Sequence, residues 1–208
     1  MRGRFISLEG GEGVGKSTQV RRLAARLRSA GHDVVETREP GGSAGAEAIR
    51  ALLLQGQGDR WTTQAEALLF AAARADHVAR TIAPALDRGA WVVSDRFLDS
   101  SLAYQGIADG LGVDALLAFH EFGSGGLLPD RTILLSLPTG EAQERAGVRD
   151  TGGADRIGGR DQGFHDRVAS AFRDLSERFA TRIRIVDAQG SPELVEARIA
   201  AALDDLIS

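Results

Sequence analysis

Gly10, Gly15, Lys16 and Ser17 stand at the spacing Gly-x-x-x-x-Gly-Lys-Ser, behind the apolar run Phe5-Ile6-Ser7-Leu8 and ahead of a helical pattern that begins at Ser17. A glycine-rich turn between a strand and a helix aims successive backbone N–H groups and a helix N-terminus at one point, where a polyphosphate settles. In such a turn Lys16 reaches the β and γ phosphates and the Ser17 hydroxyl ligates Mg²⁺. The candidate triphosphate site is therefore Gly10, Gly11, Glu12, Gly13, Val14, Gly15, Lys16 and Ser17. Many nucleotide-binding proteins share this pattern, so what is done with the nucleotide has to be read from other residues.

Three further stretches carry chemistry. Asp95-Arg96-Phe97 puts a carboxylate and a guanidinium directly behind the apolar run Trp91-Val92-Val93, and Arg38-Glu39-Pro40-Gly41-Gly42 follows Val34-Val35 in the same way. Phe70 and Arg74 are four residues apart and share a face of any helix that contains them, pairing a flat ring with a planar fork of donors. Such a pair suits stacking on a base and hydrogen-bonding its edge. Each has a plainer reading, Phe70 as core and Arg38 and Arg74 as solvated surface; their convergence on one sheet edge favours the functional one.

The elements that must bring them together are legible from periodicity. Strands are predicted over 5–8, 34–37, 91–94, 132–137 and 183–186, with helical patterns over 17–30, 44–54, 63–86 (Pro84 near the end), 100–105, 113–122 and 139–148. Val168, Phe172, Leu175 and Phe179 mark another helix, and Ser191 caps a last one with Glu193 in its first turn. Alternating strands and helices predict an α/β fold: a five-stranded parallel sheet with helices on both faces, ligands lying at the carboxyl ends of the strands. Residues 149–163 contain five glycines and almost no apolar content, so they are expected to move as a short lid on a single domain spanning 1–208.

Composition narrows the partners. The net charge of −4 argues against a general nucleic-acid or anionic-membrane surface, leaving small molecules as the expected substrates. The absence of cysteine excludes disulfide scaffolds and cysteine-based zinc sites. No stretch approaches the roughly 18 uninterrupted apolar residues of a membrane span, and the amino terminus has no signal-peptide pattern, so a soluble cytoplasmic protein is expected.

The segment Val93-Ser94-Asp95-Arg96-Phe97-Leu98-Asp99-Ser100-Ser101-Leu102-Ala103-Tyr104-Gln105 resembles the signature of the thymidylate kinases over its whole length. Phe5 to Thr18 resembles that family's phosphate loop, including the acidic Glu12; Thr37 to Ser43 resembles its Thr-Arg-Glu-Pro-Gly-Gly-Thr turn, and Leu68 to Arg74 its thymidylate-binding helix. The resemblance implies the P-loop NTPase fold and transfer of the γ-phosphoryl group of ATP to dTMP with Mg²⁺. It also implies a symmetric dimer formed through helices.

Residue roles follow from the resemblance. Phe70 stacks on thymine, Arg74 donates to its O4 edge, and Gln105 helps read the Watson–Crick edge. Arg38 and Arg96 clamp the monophosphate, Glu12 accepts the 3′-hydroxyl, Tyr104 closes the 2′ position, and Ser101 joins this set. Lys16, Ser17 and Thr18 hold the ATP phosphates; Asp95 binds the metal through water or orients Arg96. The loop supplies no arginine, and the resemblance to the bacterial subclass with a catalytic lid arginine points to Arg156 first and Arg149 second. The chain departs from the pattern at Gly158, where relatives carry glutamate, at Ser136, where aspartate is common, and mildly at Ser43. Two alternatives stay open: a kinase for another nucleoside monophosphate or a deoxynucleoside, and a nucleotide switch without phosphotransfer.

Overall fold

The structure, a computed structural model, describes residues 2–56, 60–138, 140–141 and 155–207. Strands β1 (Phe5–Glu9), β2 (Val34–Arg38), β3 (Trp91–Asp95), β4 (Arg131–Ser136) and β5 (Ile183–Asp187) form one parallel sheet in the order β2-β3-β1-β4-β5. The period-two alternation sorts their side chains into two clusters. Phe5, Val92, Leu134 and Ile183 pack on one side, while Ile6, Leu8, Val93, Ile133, Leu135 and Val186 pack on the other. Both faces are thus dry, as a parallel sheet with helical crossovers requires.

The described helices are α1 (Lys16–Ser29), α2 (Ala44–Leu54), α3 (Thr63–His77), α4 (Ala83–Asp87), α5 (Leu98–Ser101), α6 (Val113–Ser124), α7 (Gln162–Arg178), α8 (Pro192–Ala201) and α9 (Asp204–Ile207). On one face α1 buries Val20, Leu23 and Leu27 with Val195 and Ile199 of α8. On the other, Leu116 of α6 and Val168, Phe172 and Leu175 of α7 join the sheet residues. Ser191 caps α8 by accepting the Leu194 N–H, as expected. No described helix is long and apolar enough to cross a membrane.

Two predicted helices change character. The stretch expected to run unbroken over 63–86 is α3, a π-helical turn over Val78–Ile82, and α4. Pro84 has no N–H to donate and its ring crowds the carbonyl four residues back, so the helix widens ahead of it. The short helix expected at 100–105 begins as α5 and continues as a π-helix over Leu102–Ala108, which presents Tyr104 and Gln105. The helix predicted over 139–148 lies outside the described residues apart from Gly140 and Glu141.

Register determines where the chemistry gathers. Leu8 and Arg38 both pair with Asp95, so β1, β2 and β3 end together and their following loops share one edge.

Candidate active site

Beyond β1 the chain turns at Gly10, φ 134°, where a Cβ would lie 2.6 Å from the Leu135 carbonyl oxygen; only glycine fits this approach. Gly15, at φ 92°, caps α1, which starts at Lys16. The Lys16 ammonium folds back over the loop, donating to the carbonyls of Gly10 (3.1 Å) and Gly11 (2.6 Å). Burial, helped by repulsion from Arg96, lowers its pKa to about 8. The Ser17 hydroxyl donates to Asp95 Oδ2 at 2.5 Å. Of the other loop residues, Val14 turns its side chain into the core, and the Thr18 N–H donates to the Gly15 carbonyl.

Directly after β3, Arg96 is the one non-glycine residue with a left-handed backbone among the described residues, at φ 68°. Three bonds hold it there: its N–H donates to the Leu8 carbonyl (2.9 Å), its carbonyl accepts from Ser94 Oγ (2.6 Å), and the Phe97 N–H donates to Glu9 Oε1 (2.7 Å). A conformation that costs of order 1 kcal/mol or more persists because its surroundings fix it. The result is a guanidinium turned across the phosphate loop, donating to Glu12 Oε1 (2.5 Å), the Gly10 carbonyl (3.1 Å) and Ser100 Oγ (3.0 Å), and stacked 5.3 Å over the Tyr104 ring. Glu9, beneath it, is fully buried; burial and the nearby Asp99 carboxylate push its pKa up to about 8.

On α3, Arg74 is buried and locked. Its Nε donates to Glu39 Oε2 and one terminal nitrogen to Ser101 Oγ, both at 2.8 Å. Glu39 is fixed in turn by His77 Nδ1 at 3.0 Å, and His77 Nε2 lies 2.6 Å from Thr37 Oγ1. This relay joins the end of β2 to α3 and α5.

A cavity of about 360 Å³ lies between these groups. Its lining includes Glu12, Lys16, Ser17, Asp95 and Arg96 from the loop and β3, and Arg38 from β2. Phe70 and Arg74 of α3, with Ser101, Tyr104 and Gln105, complete the expected set. Arg50 of α2 also lines it, donating to the Pro40 carbonyl at 2.6 Å; burial and then Arg38 lower its pKa. No motif flagged Arg50. Glu66 was missed as well, although it stands four and eight residues before Phe70 and Arg74 and so shares their helix face.

Arg156 is buried. Its guanidinium pairs with Glu66, each side chain 1% exposed, and its Nε donates to the Leu53 carbonyl at 2.8 Å. Its neighbours Asp155 and Ile157 line the cavity and Arg156 does not. Ile157 is buried too, so within this glycine-rich stretch a cation that finds a buried carboxylate, and an isoleucine beside it, pack into the core. Arg149 lies outside the described residues.

Mg²⁺ favours hard oxygen ligands and is usually held by one or two protein groups plus substrate phosphates. The Ser17 hydroxyl and Asp95 carboxylate, both on the cavity, fit that pattern. No group of three acidic, histidine or cysteine side chains able to hold a metal occurs among the described residues.

Comparison with known proteins agrees with the geometry. The thymidylate kinase family model matches residues 8–199. A thymidylate kinase of Rhizorhabdus wittichii is 62% identical over 207 residues, covering 100% of both chains, and one of Bradyrhizobium diazoefficiens is 45% identical, covering 98% of this chain and 90% of its own. The crystal structure of the Ehrlichia chaffeensis thymidylate kinase superposes with a TM-score of 0.78 at 28% identity, covering 98% of this chain and 99% of that one. A parallel sheet ending in a phosphate loop, an arginine reaching across it, and a phenylalanine–arginine pair on the facing helix are thus found in a chain that belongs to the thymidylate kinase family.

Proposed function

We propose a residue-level course for the reaction that family membership assigns, phosphorylation of dTMP by ATP. Lys16 exchanges the Gly10 and Gly11 carbonyls for β- and γ-phosphate oxygens, and the loop amides from Gly10 to Thr18 complete the cradle. Mg²⁺ at Ser17, with Asp95 behind it, would neutralise phosphate charge. The thymine lies on Phe70 with O4 on Arg74, which Glu39 and Ser101 hold in place. Gln105 meets the Watson–Crick edge, Arg38 and Arg96 take the monophosphate, Glu12 accepts the 3′-hydroxyl and Tyr104 fills the 2′ position. Because the acceptor oxygen is already ionised, no strong base is required; catalysis is alignment and charge neutralisation.

The Arg96–Glu12 pair supports this reading: the guanidinium that would take the acceptor phosphate is hydrogen-bonded to the loop that would hold the donor. A transition-state cation from Arg149, a homodimer and a cytoplasmic place rest on the family resemblance; exposed Leu68 of α3 and Phe122 of α6 are consistent with the second. An ADP-release assay with dTMP, dUMP, dCMP, AMP and thymidine tests the acceptor. Preference for dTMP is expected; preference for another acceptor, or ATP hydrolysis without acceptor phosphorylation, overturns the reading.

A further inference from the structure

Glu66 is a buried carboxylate on the same helix face as Phe70 and Arg74, and the reaction course gives it no task. One oxygen, Oε1, accepts the Gln105 side-chain N–H at 3.0 Å; the other is taken by Arg156. Arg160 stands 4.0 Å from Oε1 and is itself held by Asp109 at 2.9 Å. A carboxylate offers acceptors only, so the Gln105 amide must turn its nitrogen toward Glu66. Its carbonyl oxygen is then the amide atom left for the cavity that Gln105 lines.

We infer that Glu66 is a specificity-determining positioning residue: by fixing the Gln105 amide it makes that part of the base pocket an acceptor. An acceptor there suits the N3–H of thymine and opposes the N3 lone pair of a cytosine-type base. This inference rests on the proposed placement of the base against Gln105. Arg156 belongs to the same device, since a carboxylate with 1% exposure persists in the core only when paired. The end of the glycine-rich segment is thereby tied to base selection.

Glu66→Gln tests it. A glutamine at 66 can donate to Gln105 and lets that amide turn its nitrogen to the cavity. The acceptors compared are dTMP and 5-methyl-dCMP, which differ only at N3 and the 4-substituent; Arg74 is common to all variants. Leaving one buried polar group mismatched corresponds to about 10- to 100-fold. The dTMP preference in kcat/KM should fall by that factor, chiefly through KM, with kcat for dTMP little changed, and Glu66→Asp should retain the preference. Should Glu66→Gln fold poorly, Glu66→Gln with Arg156→Met removes the unneutralised cation and carries the same expectation. Equal losses on both acceptors at an unchanged ratio would show Glu66 to be merely structural and overturn the inference. Gln105→Leu separates the two levels: if it leaves the ratio unchanged, the base does not meet Gln105 and the underlying reading fails. If it lowers the ratio while Glu66→Gln does not, only the role of Glu66 fails.

Discussion

Replacing Arg156 by Ala leaves the Glu66 carboxylate in the core with the Gln105 amide as its nearest remaining donor. Breaking a buried ion pair from one side costs about 3–5 kcal/mol. Arg160, 4.0 Å from Glu66 Oε1, offers partial compensation, so the lower end applies. At roughly 2–4 °C per kcal/mol for a chain of this size, about 3 kcal/mol lowers Tm by about 6–12 °C. Loss of the partner that holds Glu66, and through it Gln105, should also raise the dTMP KM while kcat at saturation falls by less than about 3-fold. An arginine that acts only on the transferring phosphoryl group predicts the reverse, a kcat loss of about 10³-fold or more with KM unchanged. Thermal denaturation and steady-state kinetics on one preparation decide between them. An unaltered Tm with a collapsed kcat would refute the structural placement of Arg156 as its working position.

Other perturbations have equally definite outcomes. Phe70→Ala should raise the dTMP KM by about 5- to 150-fold, the worth of one stacked base, with kcat less affected; an unchanged KM excludes stacking there. With the Lys16 pKa lowered to about 8, kcat/KM for ATP should decline as pH rises through that value. Glu9 titrates in the same range, and a decline that survives in Glu9→Gln assigns it to Lys16, whereas a decline absent from that variant assigns it to Glu9. Glu9 also links to stability. Its pKa rises from 4.5 to about 8 on folding, so the folded state holds the extra proton between them, and stability present below about 4.5 is lost as pH climbs to about 8. Denaturant titrations of wild type and Glu9→Gln should therefore converge in slope only outside that window; identical pH dependence throughout contradicts the burial argument. Ser17→Ala should raise the Mg²⁺ concentration needed for half-maximal activity, and an unchanged requirement removes Ser17 from the metal site.

Legibility in the sequence tracked how local the determining physics was. All five strands were visible because each is a short apolar run bounded by turn residues, and the phosphate loop because its glycines serve a local backbone shape. The π-helical turns were not, since Pro84 announces a disturbance but not its geometry, and nothing in Leu102–Ala108 announces one. Among site residues, Phe70, Arg74 and Arg96 carried both a residue type and a place at an element's end or face. Arg50 had the type without the place: its position over the cavity depends on how α2 packs across α3. The burial of Arg156 was not legible because a glycine-rich neighbourhood looks solvated, while the carboxylate that buries it lies 90 residues away in sequence.

The most direct measurement is a crystal structure of the protein with dTMP bound. The thymine ring should lie on Phe70, with its O4 on Arg74, its N3–H on the Gln105 carbonyl oxygen, and its phosphate between Arg38 and Arg96. A base seated away from Phe70, or a phosphate that leaves Arg96 on Glu12 alone, would contradict it.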